Sequence, residues 1–429
     1  MKYIGIMTGN SLDAVDAVLC EFSNQNINDI CGHSLPIPSM MADDFRRLKA
    51  ELAANGGNIR QIYDHSPQQF HKLHNSYVEL VAHTVQELLQ KAKIKPSEIA
   101  AVGFHGQTCY HRPPSICAKG EKPRSIQIGS GQMLADILNI PVVFDFRSAD
   151  IKNGGEGAPL APIHNLHLAE SLKQTDVFPI AFCNGGNTGN IAIISQDIND
   201  KTTHCIGWDT GPFNHFVDYL ARTEQNLPCD LDGQIGHRGI INYDLLEALF
   251  NSSVTTASGD NFLFMPPPKS SDPAWYKLIP ELTDQNIPLA DRIRTAEFFS
   301  TYIMVYSLRH IPFNLYHPQY FLLFGGGWNN PLICQDFTNL LLGNARVLYQ
   351  HKNIFQALTE PQVTIAAADQ YGISGKYMEA RIFADMAKSF LNAEPFTIPS
   401  TTGCKSPTIC GVLAQPLGNN QQLWSMAAE

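Results

Sequence analysis

The sequence predicts an α/β protein of two lobes around a cleft, and three observations carry that expectation. A chain of 429 residues is too long for one ordinary hydrophobic core. It starts as strand, turn and strand over residues 3–22. A second set of strand signals then begins after residue 176 and repeats the make-up of the first. The expected division is 1–175 for the first lobe, completed by 375–429, and 176–374 for the second.

The elements follow in order. Residues 3–7 are apolar, residues 14–22 form a second strand candidate, and Thr8-Gly9-Asn10-Ser11-Leu12-Asp13 between them is mostly turn chemistry. A Rossmann or P-loop fingerprint would instead run strand, glycine loop, helix, and neither spacing occurs. Residues 66–94 place Leu73, Tyr77, Leu80, Val81, Val85 and Leu88 at helical spacing. Short apolar runs at Ala100–Phe104, Ile126–Ile128 and Pro141–Phe146 read as buried strands. The second set reads as Val177–Cys183, Asn190–Ser195, Tyr320–Phe324 and Arg346–Tyr349, with helical patterns at 294–310 and 376–391. Pro266-Pro267-Pro268 marks a loop, so Lys269 and Ser270 are expected in a cleft-side loop rather than a strand.

Composition excludes several classes. A formal charge of −10 gives no general basic face for nucleic acid or an anionic membrane. An anionic ligand must then be held by local devices such as backbone amides, a few cations and a metal ion. The ten cysteines are scattered without a C-x-x-C pair, so neither zinc nor a disulfide framework is expected. No apolar run is long enough to span a bilayer, and strand signals begin at Tyr3, leaving no room for a signal core. The expected location is the cytoplasm.

Four glycine stretches follow strand candidates or short apolar runs: at Gly9, at Gly185-Gly186, at Gly207 to Gly211, and at Gly325-Gly326-Gly327. Glycine lets backbone N–H groups turn toward an anion. A single one is ordinary hairpin chemistry, but four spread over both halves suit separate turns for a nucleotide's phosphates and adenosine. His105 and Gln107 end a buried strand, where ligand-facing polar groups gather in α/β folds. A satisfied structural histidine is the plainer alternative. Arg147 stands between Asp145 and Asp150 at a strand end, suiting either a ligand-facing cluster or an internal salt bridge. Asp209, set among Gly207 and Gly211, is either a turn former or a general base facing a phosphoryl group.

Together these stretches resemble the anhydro-N-acetylmuramic acid kinases, within the superfamily of actin, hexokinase and the heat-shock chaperone ATPases. The resemblance runs from Gly5–Asp16 through His105–Thr108, Asp145–Asp150, Gly154–Pro162, Gly207–Asn214, Asp230–Gly233, Pro267–Ser270, Gly325–Asn330 and Met378–Ala380 to Thr402-Gly403. It implies two ribonuclease-H-like lobes, ATP and Mg2+ as cofactors, and a tendency to dimers. It implies Asp209 as the base and Glu379 as a second acid holding water. Gly9, Asn10, Ser11, Leu12, Asp13, Gly186, Gly325, Gly326 and Gly327 match the ATP turns. His105, Gln107, Arg147 and Asp150 match positions near the sugar.

The implied reaction opens the 1,6-anhydro bridge of anhydro-N-acetylmuramic acid with water and phosphorylates O6, as in cell-wall recycling. Several positions depart from the family's usual residues: Asn10 for threonine, Glu156 for glutamine and Phe213 for glycine. The second turn reads Asn184-Gly185-Gly186-Asn187, and Asp272-Pro273 follows the Lys269-Ser270-Ser271 stretch. These departures keep two alternatives open: a kinase for another sugar such as levoglucosan, and a nucleotide- or sugar-binding protein that has lost catalysis.

Overall fold

A computed structural model describes residues 1–23, 26–117, 120–172 and 178–417. Its strands, in chain order, are β1 (Lys2–Thr8), β2 (Ala14–Ser23), β3 (Asn26–Pro36), β4 (Ile99–Phe104), β5 (Gln107–Arg112), β6 (Arg124–Ile128) and β7 (Val142–Phe144). They continue with β8 (Ile180–Gly185), β9 (Thr188–Gln196), β10 (Thr203–Pro212), β11 (Tyr320–Phe324), β12 (Thr364–Ala367) and β13 (Val412–Ala414). Contacts divide the chain into a first unit, Met1–Ser171 with Tyr377–Glu429, and a second, Leu172–Lys376.

The first unit holds a six-stranded sheet in the order β13-β7-β4-β1-β2-β3. The β1–β2 and β2–β3 pairs are antiparallel, while β1–β4 and β4–β7 are parallel. The second unit repeats this plan as β10-β9-β8-β11-β12. Its β8–β9 and β9–β10 pairs are antiparallel, and β8–β11 and β11–β12 are parallel. A three-strand antiparallel meander, extended from its first strand by two further parallel strands in succession, is the ribonuclease-H-like arrangement, so each unit has it.

The first unit packs its sheet between two helices. The helix Pro67–Ala92 buries Leu73, Tyr77, Val81, Val85 and Leu88, joining the cluster formed by Ile4, Ile6, Leu19 and Val102. The helix Met378–Leu391 lies on β1 and β4 at van der Waals distance of the backbone. A β-carbon on Gly5 or Gly103 would stand 1.9 Å from the carbonyl oxygen of Ala380 or Phe383. Only glycine permits that approach.

In the second unit the helix Leu289–Ser307 is buried almost all round, from Arg292 to Ser307. Such a helix carries little amphipathic pattern to read. One strand reading needs correction. Arg346–Tyr349 is not a strand: it is irregular up to Leu348 and then turns, and the Arg346 guanidinium lies 4.0 Å from the Tyr243 ring centroid. The sheet's other two strands are β10, whose Gly207–Gly211 part reads as a glycine turn, and β12, whose four residues are too short to signal themselves. β3, half-buried along its length, also went unread. Residue 177 of the Val177–Cys183 candidate lies outside the described residues; the strand itself begins at Ile180.

Candidate active site

In each unit several candidate stretches follow the ends of parallel strands. β1, β4 and β7 run the same way, so Thr8–Asp13, His105–Gln107 and Asp145–Asp150 all leave one edge of the first sheet. That edge is where open α/β sheets place ligands.

The first turn is held from both sides. Thr8 Oγ1 lies 2.9 Å from Tyr77 Oη, and the Leu12 N–H donates to the Gly9 carbonyl at 3.3 Å. Leu12 itself takes a positive φ of 58° and is buried. Asn10 Oδ1 accepts from Lys49 Nζ at 3.1 Å. The Asn10 amide thus meets a cation, Lys49 of the helix Ser39–Ala54. Ser11 Oγ donates to Asp13 Oδ1 at 2.5 Å.

His105 and Arg147 come together. His105 is buried, stacked on Phe383 at 4.6 Å, and its Nε2 accepts from Arg147 Nε and Nη2 at 3.2 and 3.1 Å. A guanidinium can only donate, so the imidazole proton sits on Nδ1. Burial first, and the Arg147 charge second, hold His105 well below its usual range, which keeps it neutral. Arg147 also donates to the Gly157 carbonyl at 2.7 Å. Gln107, fully buried at the start of β5, donates to the Thr108 carbonyl, while its Oε1 has no partner. A buried acceptor without a donor costs free energy until a ligand supplies one.

Asp150 works on the protein itself. Its Oδ2 accepts from the Gly157 N–H and its Oδ1 from Thr402 Oγ1, both at 2.7 Å. With Arg147 it clasps the loop Gly154–Pro159 from two sides. Glu156 accepts from the Ser115 N–H and hydroxyl. Glu379 stands in the first turn of the helix Met378–Leu391, half-buried.

In the second unit β8 and β11 are parallel, so the Gly185–Gly186 and Gly325–Gly327 turns share an edge. They touch: a β-carbon on Gly325, whose φ is 94°, would meet Asn184 Oδ1 at 2.6 Å and the Gly185 backbone at 2.9 Å. A β-carbon on Gly326 would meet nothing within 4 Å. Phe213 fills the space beside both turns. Its ring lies 4.8 Å from Trp328 and within 2.8 Å of where β-carbons on Gly185 and Gly327 would stand. Asn214 ties its side chain to the Gly185 carbonyl and its N–H to that of Gly186, each at 3.1 Å.

Asp209 is not in a turn. It lies in β10, paired with Asn190 of β9, and the register slips between Asp209 and Gly211, whose φ is 129°. The neighbouring glycine therefore serves a bulge that re-aims the strand. Asp209 is buried, and its Oδ2 accepts from Ser270 Oγ at 3.1 Å and the Ser271 N–H at 2.8 Å. Its own N–H donates to the Lys269 carbonyl at 3.1 Å. Lys269 and Ser270 are in a loop, and both are buried.

The family model described as anhydro-N-acetylmuramic acid kinase matches residues 1–416. The chain belongs to that family. An anhydro-N-acetylmuramic acid kinase of Gluconobacter oxydans (strain 621H) is 31% identical over 408 residues, 95% of this chain and 98% of that one. One of Vibrio vulnificus (strain YJ016) is 31% identical over 417 residues, 96% and 97% of the two chains. As a member of the anhydro-N-acetylmuramic acid kinase family the chain is a kinase, and kinases of this kind use ATP. Among the described residues no helix is long and apolar enough to cross a membrane.

Proposed function

We propose that the chain opens 1,6-anhydro-N-acetylmuramic acid with water and transfers the γ-phosphoryl group of ATP to O6, giving N-acetylmuramic acid 6-phosphate for cell-wall recycling. The observation that carries this reading is the family match across residues 1–416. The setting of Asp209 supports it. Two donors on Oδ2 fix the orientation of the carboxylate, as the geometry of a general base requires.

In this reading Asp209 takes a proton from water, and the water oxygen bonds to C1. The C1–O6 bond breaks, and its electron pair goes to O6. O6 then bonds to the γ-phosphorus while the bond to the β-phosphate oxygen breaks and ADP leaves. The proton on Asp209 passes to solvent. Glu379 holds the water. Neutral His105 offers its Nδ1–H, and Gln107 Oε1 accepts from a hydroxyl or amide of the sugar. The turns at Gly9–Asp13, Gly186 and Gly325–Gly327 present backbone N–H groups to the phosphates.

Phosphoryl transfer is positioning plus charge neutralisation, and Mg2+ supplies the latter. That ion takes one or two carboxylates and relies otherwise on phosphate and water. Asp13, exposed beside the first turn, fits that role.

The test is an ATP-coupled assay over a panel of anhydro and ordinary sugars, with products identified by mass. Anhydro-N-acetylmuramic acid should turn over fastest. Faster phosphorylation of levoglucosan or an ordinary hexose would reassign the substrate. No sugar-dependent ATP turnover would leave a binding protein.

A further inference from the structure

The Lys269–Ser271 loop reaches Asp209 through its backbone, its side chains and one neighbour beyond them. Ser271, whose N–H donates to Asp209 Oδ2, turns its own Oγ to Tyr276 Oη at 2.6 Å. Tyr276 Oη lies in turn 2.8 Å from Thr188 Oγ1, at the start of β9. Strand β9 is the antiparallel partner of β10, which carries Asp209. The chain of hydroxyls therefore leaves the carboxylate, crosses the loop and returns to the same hairpin. Burial holds the Tyr276 hydroxyl protonated, so it can donate to one neighbour while accepting from the other.

The tyrosine is itself held firmly. Asp272 caps the turn Pro273–Trp275 through the Ala274 N–H at 2.9 Å. Val254 then bridges to Tyr276, with the Lys277 N–H donating to the Ser253 carbonyl at 2.7 Å. The His215 ring meets the tyrosine edge-on at 5.0 Å. At the other end of the loop, Lys269 Nζ donates to the Phe262 carbonyl at 3.3 Å and stands 4.5 Å from the Phe262 ring centroid. Both ends of the segment that grips Asp209 are thus anchored in packed surroundings. The stretch that begins Asp272-Pro273 is the one that delivers Tyr276.

We infer that Tyr276, with Ser271 and Thr188, is a positioning residue for Asp209: the hydroxyl chain sets the loop whose donors aim the carboxylate. The inference rests on Asp209 being the base. Its effect passes wholly through Asp209, which separates it from ordinary structural support.

A double-mutant cycle on the full-length enzyme tests it, with MgATP and anhydro-N-acetylmuramic acid as substrates. Tyr276→Phe removes one hydroxyl and keeps the ring. It should lower kcat about 3- to 10-fold, the worth of one hydrogen bond, with KM for MgATP within about twofold if the effect is confined to the reacting step. In an Asp209→Asn background the same substitution should cost nothing further, because two residues acting as one unit are not additive. Ser271→Ala should repeat both results, and Ser271→Thr, which keeps an Oγ, should restore the rate. Were Tyr276→Phe to misfold by circular dichroism, the Ser271→Ala cycle carries the decision.

An unchanged kcat in both Tyr276→Phe and Ser271→Ala would overturn the inference. So would an equal loss in both backgrounds, and either result leaves Asp209 as the base. A near-normal rate for Asp209→Asn alone would remove the base reading, and this inference with it.

Discussion

Gly5 and Ala380, 375 positions apart in the chain, meet so closely that a β-carbon on Gly5 would stand 1.9 Å from the Ala380 carbonyl oxygen. Backbone cannot give way as a flexible side chain can. Gly5→Ala should therefore destabilise the protein by at least about 2 kcal/mol, within the range for over-packed cores, read from urea unfolding. Gly326→Ala is the contrast, since nothing stands near its β-carbon. Its stability should be unchanged, while KM for MgATP should rise if, as proposed above, that open turn receives a phosphate of ATP. An unaltered KM would take Gly326 out of the ATP turn.

Gln107 should show opposite signs in stability and function. Its Oε1 is a buried acceptor with no donor, so Gln107→Leu should stabilise the free protein by about 1 kcal/mol, the low end of the cost of an unsatisfied buried group. The same change should raise the sugar KM about tenfold or more while leaving KM for MgATP alone. Thermal melts with parallel kinetics check both. A destabilised variant would show that Gln107 is a structural amide.

The first unit should carry an acid-sensitive cluster. Asp385, fully buried, accepts from His164 Nδ1 at 2.8 Å and His167 Nδ1 at 2.7 Å through Oδ2. Burial alone would raise its pKa, but the two histidine bonds outweigh it and bring it from 3.8 down to about 2. A depressed carboxyl stabilises the fold above its unfolded value, and that contribution is lost as pH falls from about 4 toward 2. For both histidines burial is the largest influence and lowers the pKa. It prevails at fully buried His164, whereas at partly exposed His167 the bond to Asp385 prevails and raises it. Their contributions oppose one another near pH 6.5, which leaves the acid limb as the clear signature. Asp385→Asn should cost about 3 kcal/mol, as breaking a buried ion pair does, and flatten that limb in a pH series of melts.

Asp209→Asn should keep the fold and KM for MgATP while turnover falls by about 10² to 10⁴, the range for removing a general base. Run in ¹⁸O-labelled water and read promptly, the wild-type product should carry label on the C1 hydroxyl and none on phosphate. Label in phosphate would mean ATP hydrolysis instead of transfer to O6.

Local chemistry made part of this legible before any coordinates. The strand, turn and strand of residues 3–22 announce themselves because short apolar runs and a Gly-Asn-Ser turn act within a few positions. Tyr320–Phe324 did so too, as a short apolar run ended by glycines. The stretches at Thr8–Asp13, His105–Gln107 and Asp145–Asp150 were readable for the same reason: each follows a buried strand, and the polar residue after an apolar run marks that edge. β12 and β3 were not readable, since one is short and the other half-buried, and both are held by pairing with distant strands.

Asp209 shows where the two kinds of information part. Its identity and its glycine neighbours stand in the sequence, and they suggested a turn. The pairing with Asn190 makes it a strand residue, and Gly211 serves the bulge that aims it. The donors on its carboxylate come from Ser270 and Ser271, some sixty positions on, and those are steadied by Tyr276 and Thr188. Residue types and local order follow from short-range propensities that a single chain displays. Which hydroxyl meets which carboxylate depends on strand register and loop packing, and these arise only when distant segments bury their surfaces together.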